Sequence, residues 1–188
     1  MVLNVIITVP HGICPVCIGN NHPCDEAAMD AARMLSDEIV RTGRTNIIIL
    51  VPKSPRGVEL DANRKSGRGI KMRKDLLRML QSGEVDFVFD VHSFPQTRET
   101  KELASWYNYD LVIMKPYISC CDYRMSLSSL GKSIHVVPGN RVNDITNTAS
   151  EHEVPSLLLE FNESAEKENV RASIQKVVRS VLKSFNKM

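Results

Sequence analysis

The chain has little that suits a membrane or a nucleic acid. No apolar stretch approaches the roughly 20 residues that a bilayer-spanning helix needs. Aromatic residues make up 5% of the chain, with a single tryptophan, which leaves few rings on which bases would stack. A net charge of +2 and a pI near 8.3 fall short of the basic field that phosphate backbones select. Lysine and arginine are spread among the acids except between Arg64 and Lys74. Neither nucleic acid nor membrane is therefore expected as a partner. The nine glycines and nine prolines mark no interdomain linker, and no repeat or low-complexity tract is present, so residues 1–188 are expected to form a single domain. The start Met-Val-Leu-Asn-Val-Ile-Ile-Thr-Val lacks a basic n-region and a small-residue cleavage site, which predicts no secretory signal. Five cysteines in such a chain suit a reducing compartment and mostly free thiols, and a cytoplasmic location is expected.

What is present is a hydrophobic share of 43%, enough for a real core, arranged as alternating strand and helix patterns. Three aliphatic runs end on residues able to bind a metal or move a proton: Val5 to His11, Phe87 to His92, and Ser156 to Glu160. Buried strands read as such continuous runs, and ligands gather beyond their carboxyl ends. Two histidines and a glutamate would then converge at one edge of one sheet, a set that suits a zinc hydrolase.

The first strand, at about residues 2 to 9, leads into an irregular stretch from His11 to Pro23. Asp25-Glu26 opens a helix whose apolar positions Ala28, Ala31, Ala32, Leu35 and Ile39 recur at helical spacing. A short buried strand is expected at Asn46 to Val51, then a polar loop to Gly69 and a helix carrying Leu76, Leu77 and Leu80 that Gly83 terminates. Further strands are expected at Asp110 to Met114 and Ser133 to Val137, and irregular structure from Pro138 to Val154. The last helix follows Glu160, with Ser164 as its cap and Val170, Ile174, Val177, Val178, Val181 and Phe185 on one face. This alternation predicts an α/β fold in three layers.

Four short motifs stand in order along the chain: Thr8-Val9-Pro10-His11-Gly12, Asp61-Ala62-Asn63-Arg64, Asp90-Val91-His92-Ser93-Phe94 and Leu159-Glu160-Phe161-Asn162. In order and approximate spacing the chain resembles the N-formylglutamate amidohydrolases, themselves related to the zinc carboxypeptidases and aspartoacylases. The resemblance implies a phosphorylase/hydrolase-like α/β/α sandwich on a mixed, mainly parallel sheet. It also implies zinc held by His11 and His92; strand alternation puts Asp90 on the same side as His92, where it could orient the ring. For the third ligand, an acid at the start of the following helix serves in the amidohydrolase branch, which favours Asp25, then Glu26. The carboxypeptidases take a glutamate three residues after the first histidine, where this chain has Cys14, itself a competent zinc ligand.

The resemblance further implies that Asn63 and Arg64 grip a substrate carboxylate, a task to which an arginine fork is suited, with Asp61 holding Arg64. Arg68, or Arg73 after it, would polarise the scissile carbonyl. Glu160 would take a proton from the attacking water and return it to the leaving amine, assisted by Asn162. The expected activity is zinc-dependent hydrolysis of an amide bond in a carboxylate-bearing substrate: an N-formyl or N-acyl amino acid, a γ-glutamyl compound or a peptide C-terminus. A rival expectation is an inactive metal-binding module in which Cys14, Cys17, His22 and Cys24 hold a structural zinc.

Overall fold

The computed structural model describes residues 2–12, 25, 27–43, 45–53, 62–94, 105–116, 130–139 and 143–185. Aliphatic and β-branched runs form six strands: β1 (Leu3–Thr8), β2 (Thr45–Leu50), β3 (Phe87–Phe94), β4 (Leu111–Met114), β5 (Ile134–Val137) and β6 (Ser156–Asn162). They make one sheet in the order β2-β1-β3-β6-β4-β5. The pairs β1–β2, β1–β3, β3–β6 and β4–β5 are parallel, and β4–β6 is antiparallel, which makes the sheet mixed and mainly parallel. The helices are α1 (Ala28–Arg41), α2 (Lys71–Gln81), α3 (Asp144–Glu151) and α4 (Lys167–Phe185), with a 3-10 turn at Lys65–Gly69 before α2.

Strand alternation divides the core between two faces. On one face Val5, Ile7, Phe87, Phe89, Leu157 and Leu159 pack with Ala31 and Leu35 of α1 and Ile174 and Val178 of α4. On the other, Ile6 and Val88 pack with Leu76 and Leu80 of α2 and with Ile145 and Ala149 of α3. Burying each large side chain contributes about 1.5–3 kcal/mol, so the helical stripes dock wherever the sheet offers apolar residues. The result is the expected three-layer sandwich. Toward the carboxyl ends of β1, β3 and β6 the second face changes character, from Ile6 to Thr8, from Val88 to Asp90 and His92, and from Leu158 to Glu160.

Three local expectations are corrected. The stretch expected to be irregular from Pro138 to Val154 contains α3; its Thr146, Asn147, Thr148 and Ser150 are polar yet buried, so no apolar period betrayed it. The strand expected to be buried near Asn46 is β2, at the sheet edge, with Ile48 and Ile49 exposed. α4 begins only at Lys167, so Ser164 lies in the turn before it, where its N–H donates to Asn162 Oδ1. Gly83, with φ +70°, follows the end of α2 as expected. Among the described residues, no helix is long and apolar enough to cross a membrane.

Candidate metal centre

His11 leaves the end of β1 in a tight turn. The Gly12 N–H donates to the Val9 carbonyl at 3.2 Å, and a β-carbon on Gly12 would stand 2.6 Å from Val9 Cγ1 and 2.9 Å from Met29. Glycine is therefore required for the chain to pass this close to α1. The Asp25 N–H then donates to the His11 carbonyl at 3.3 Å, so the two residues are tied by main chain although 14 positions apart.

Asp25 Oδ2 lies 3.2 Å from His11 Nδ1 and 2.8 Å from His92 Nδ1. The two imidazoles meet edge to face at 4.9 Å. All three residues are buried, and one donor atom from each lies within 4.8 Å of the others. A tetrahedral zinc with bonds of about 2.0–2.1 Å sets its donors roughly 3.3 Å apart; the Asp25–His11 separation of 3.2 Å is close to this and the Asp25–His92 separation of 2.8 Å is shorter. The donor chemistry, two imidazoles and a carboxylate, also fits. Behind His92, Asp90 Oδ2 lies 3.3 Å from Nε2, and the Thr8 hydroxyl donates to Asp90 Oδ1 at 2.7 Å. With the proton on Nε2, Asp90 would accept its hydrogen bond and Nδ1 would be left for a metal.

Glu160 faces this group because β3 and β6 are parallel with His92 opposite Glu160, so the two side chains share a face of the sheet. Burial pushes the Glu160 carboxyl up to about 7, with His92 pulling the other way and the Asp25 charge adding to the rise. Burial would raise Asp25 as well, but its contacts with His11 and His92 outweigh that and hold it well below the usual carboxylate range. Burial disfavours the His92 imidazolium, yet the Asp90 and Asp25 carboxylates prevail and raise its pKa. Asp25, Asp90 and Glu160 thus stand beside two imidazoles, a charge that a divalent cation would balance.

The remaining expected residues divide. Asn63 is buried, its carboxamide nitrogen 3.2 Å from His92 Nε2. Arg64 is exposed, at the start of the 3-10 turn. The Arg68 fork, expected to polarise a carbonyl, is instead engaged with Asp144, through Nε to Oδ2 at 2.7 Å and Nη2 to Oδ1 at 2.8 Å. Asn162, expected to assist Glu160, donates to the carbonyls of Tyr107 and Tyr109 and so ties β6 to the turn before β4. Cys14, Cys17, His22, Cys24, Glu26 and Asp61 lie outside the described residues.

Sequence reasoning missed Asp144 and Glu163, and it gave no role to Thr8, the first residue of the Thr8-to-Gly12 motif. Glu163 Oε1 accepts from the Ser93 hydroxyl at 2.6 Å, and Ser93 Oγ in turn accepts from the Ala27 N–H, which anchors the start of α1 two residues after Asp25. The polar strand end at Ser93 was the available signal.

No family model matches the chain, and no curated protein matches it. Solved structures do. The gene product Atu2144 of Agrobacterium tumefaciens is similar over 99% of this chain and 89% of its own, at TM-score 0.55 and 14% identity. The N-acetylmuramoyl-L-alanine amidase AmiC2 of Nostoc punctiforme is similar over 98% and 97%, at 0.52 and 12%. Csd4 of Helicobacter pylori, a D,L-carboxypeptidase, is similar over 98% of this chain and 51% of its own, at 0.61 and 11%. The chain shares the fold of these three proteins. That likeness is one of fold, and the N-formylglutamate amidohydrolase resemblance continues to rest on the four short motifs.

Proposed function

We propose that the protein is a zinc-dependent amidohydrolase acting on an amide bond in a substrate with a free carboxylate. The observation that carries this reading is the buried His11–Asp25–His92 set, its donor atoms within 4.8 Å of one another, with Glu160 across from His92 on the neighbouring strand. His11, Asp25 and His92 would hold the metal, which when bound would supply Lewis acidity to the scissile carbonyl and to water.

The chain's own residues provide the rest. Asp90 keeps the His92 ring oriented and itself accepts from Thr8. Glu160, with a carboxyl pushed up to about 7, is suited to take a proton from the attacking water and to release it to the departing amine at neutral pH. Arg64, exposed beside the buried Asn63, is the group we assign to the substrate carboxylate. The neighbours' names include amidases and a carboxypeptidase, both of which cleave amide bonds, and this supports the reaction class.

The test combines metal analysis with a substrate panel. Purified protein should carry one zinc per chain, and His92→Ala should carry none. N-formyl and N-acyl amino acids, γ-glutamyl peptides and free peptides should be compared with analogues whose carboxylate is amidated. Hydrolysis of at least one carboxylate-bearing class, lost on amidation and reduced by about 100-fold or more in Glu160→Gln with zinc retained, is expected. Zinc bound normally by His92→Ala, or full activity in Glu160→Gln, would overturn the assignment.

A further inference from the structure

Beyond the residues that face the metal set, the described part of the molecule holds one dense buried polar cluster, and it sits behind Asn63. Arg73, in the first turn of α2, is 3% exposed, and Asp144, the first residue of α3, is 1% exposed. The Asp144 carboxylate takes the Arg68 fork on one side and Arg73 Nη2 at 2.8 Å on the other. Arg73 Nη2 also donates to Thr148 Oγ1 at 3.0 Å, and that hydroxyl donates to the Asp144 carbonyl at 2.6 Å. A buried guanidinium is costly without partners, so a cluster this deep holds its members in fixed places.

Two further bonds run from this cluster to main chain. Arg73 Nη1 donates to the Ala62 carbonyl at 2.8 Å, and the Asp144 N–H donates to the Asn63 carbonyl at 3.1 Å. Ala62, Asn63 and Arg64 belong to no helix or strand, so their place depends on what grips their carbonyls. The next atoms outward are the Asn63 carboxamide against His92 and the exposed Arg64 side chain.

We propose that Arg73 and Asp144 are positioning residues: through the Ala62 and Asn63 carbonyls they set the Asn63 carboxamide against His92 Nε2 and fix the main chain that leads into Arg64. Arg68 belongs to this clamp, as the second guanidinium on Asp144. The clamp also explains why α3 is polar and buried at once, since Asp144 and Thr148 serve Arg73 on the same side of the helix, four residues apart. Lysine cannot replace Arg73, because a point ammonium has no planar fork to reach a carbonyl, a carboxylate and a hydroxyl in their present places.

The meaning of the clamp for catalysis rests on the proposed function, but its test does not, because it reads His92 in metal-free protein. The probe is the 15N shift of His92 Nε2 in protein labelled at histidine, assigned with His92→Ala and recorded at one pH alongside circular dichroism. Asn63→Ala sets the size of the shift caused by losing the carboxamide. Arg73→Lys is expected to move the signal in the same direction and by a comparable amount, and the double variant to move it no further than Asn63→Ala alone. Asp75→Asn, which removes the exposed ion pairs of α2 with Lys71 and Arg78, should leave it in place.

A folded Arg73→Lys with His92 Nε2 unmoved, or additive shifts in the double variant, would show that the cluster serves stability alone. Should Arg73→Lys fail to fold, Asp144→Asn is read against the same two outcomes. Absence of zinc or of hydrolysis in the parent protein would end the amidohydrolase reading and leave this result standing.

Discussion

At the scale of single residues, Glu160 carries a conflict between stability and use. In the metal-free protein its carboxyl is pushed from 4.5 to about 7, chiefly by burial. The folded state therefore prefers the protonated acid, and stability is full below the unfolded value, falls as pH rises toward 7 and stays reduced above it. A shift of that size corresponds to a loss of about 3 kcal/mol. Melting temperatures of metal-free protein between pH 4.5 and 8 should fall with this profile, whereas Glu160→Gln, neutral throughout, should lack the fall and be the more stable protein at pH 8. Parallel curves for the two proteins would mean that Glu160 ionises without penalty and is no tuned base. Gly12 shows the opposite economy: it touches no reacting group, yet only its missing side chain allows His11 to turn so close to Val9 and Met29.

At the scale of elements, α2 and α3 are joined by charge as well as by apolar packing. Burial would raise the Asp144 pKa, but the Arg68 hydrogen bonds and the Arg73 charge outweigh it and lower the value. A lowered folded pKa means that the ionised carboxylate stabilises the fold above the unfolded value near 3.8, and that this contribution is lost as pH falls through the folded value. Acid unfolding of the parent protein should thus steepen below about pH 3.8, and Asp144→Asn should lack that component. Removing one partner of a buried pair should also lower the stability of Asp144→Asn at pH 7 by about 3 kcal/mol, measured by urea unfolding. A loss of only a few tenths, typical of exposed pairs, would place the cluster in contact with water.

The apolar periods of α1 and α2 were legible as sequence because each helix presents one apolar face to the sheet, and the aliphatic runs of β1, β3 and β6 because both of their faces are covered. α3 was not legible, because only Ile145 and Ala149 meet the apolar layer while its other buried side chains are polar, Asp144 and Thr148 being satisfied by arginines more than 70 residues away in the chain. β2 was legible as a strand but not as an edge, since nothing in Thr-Asn-Ile-Ile-Ile-Leu states that only one neighbour will pair with it.

For the whole molecule, the candidate metal ligands come from three separate parts of the chain: the end of β1, the residue two before α1's N-cap, and β3. A ligand that binds only the folded arrangement stabilises it by mass action, by about 4 kcal/mol when free zinc exceeds Kd a thousandfold. For a chain of this size that corresponds to a rise in Tm on the order of 10 °C. Adding zinc to chelator-stripped protein should produce such a rise, and His92→Ala should show none. An undiminished rise in His92→Ala would move the metal elsewhere in the chain.

By itself the sequence determined the alternation of strands and helices and the residue types at the strand ends, since periodicity, Gly12 and the donors His11, His92 and Glu160 are local properties of the chain. Register and topology decided the rest. Only the parallel pairing of β3 with β6 puts Glu160 beside His92, and only the return of the chain ahead of α1 brings the Asp25 carboxylate between two imidazoles rather than leaving it at a helix terminus. The engagement of Arg68 and Arg73 with Asp144 was likewise a tertiary outcome. A guanidinium takes whichever carboxylate the packing of α2 against α3 brings within reach, and no local pattern around Arg68 names a partner 76 residues away.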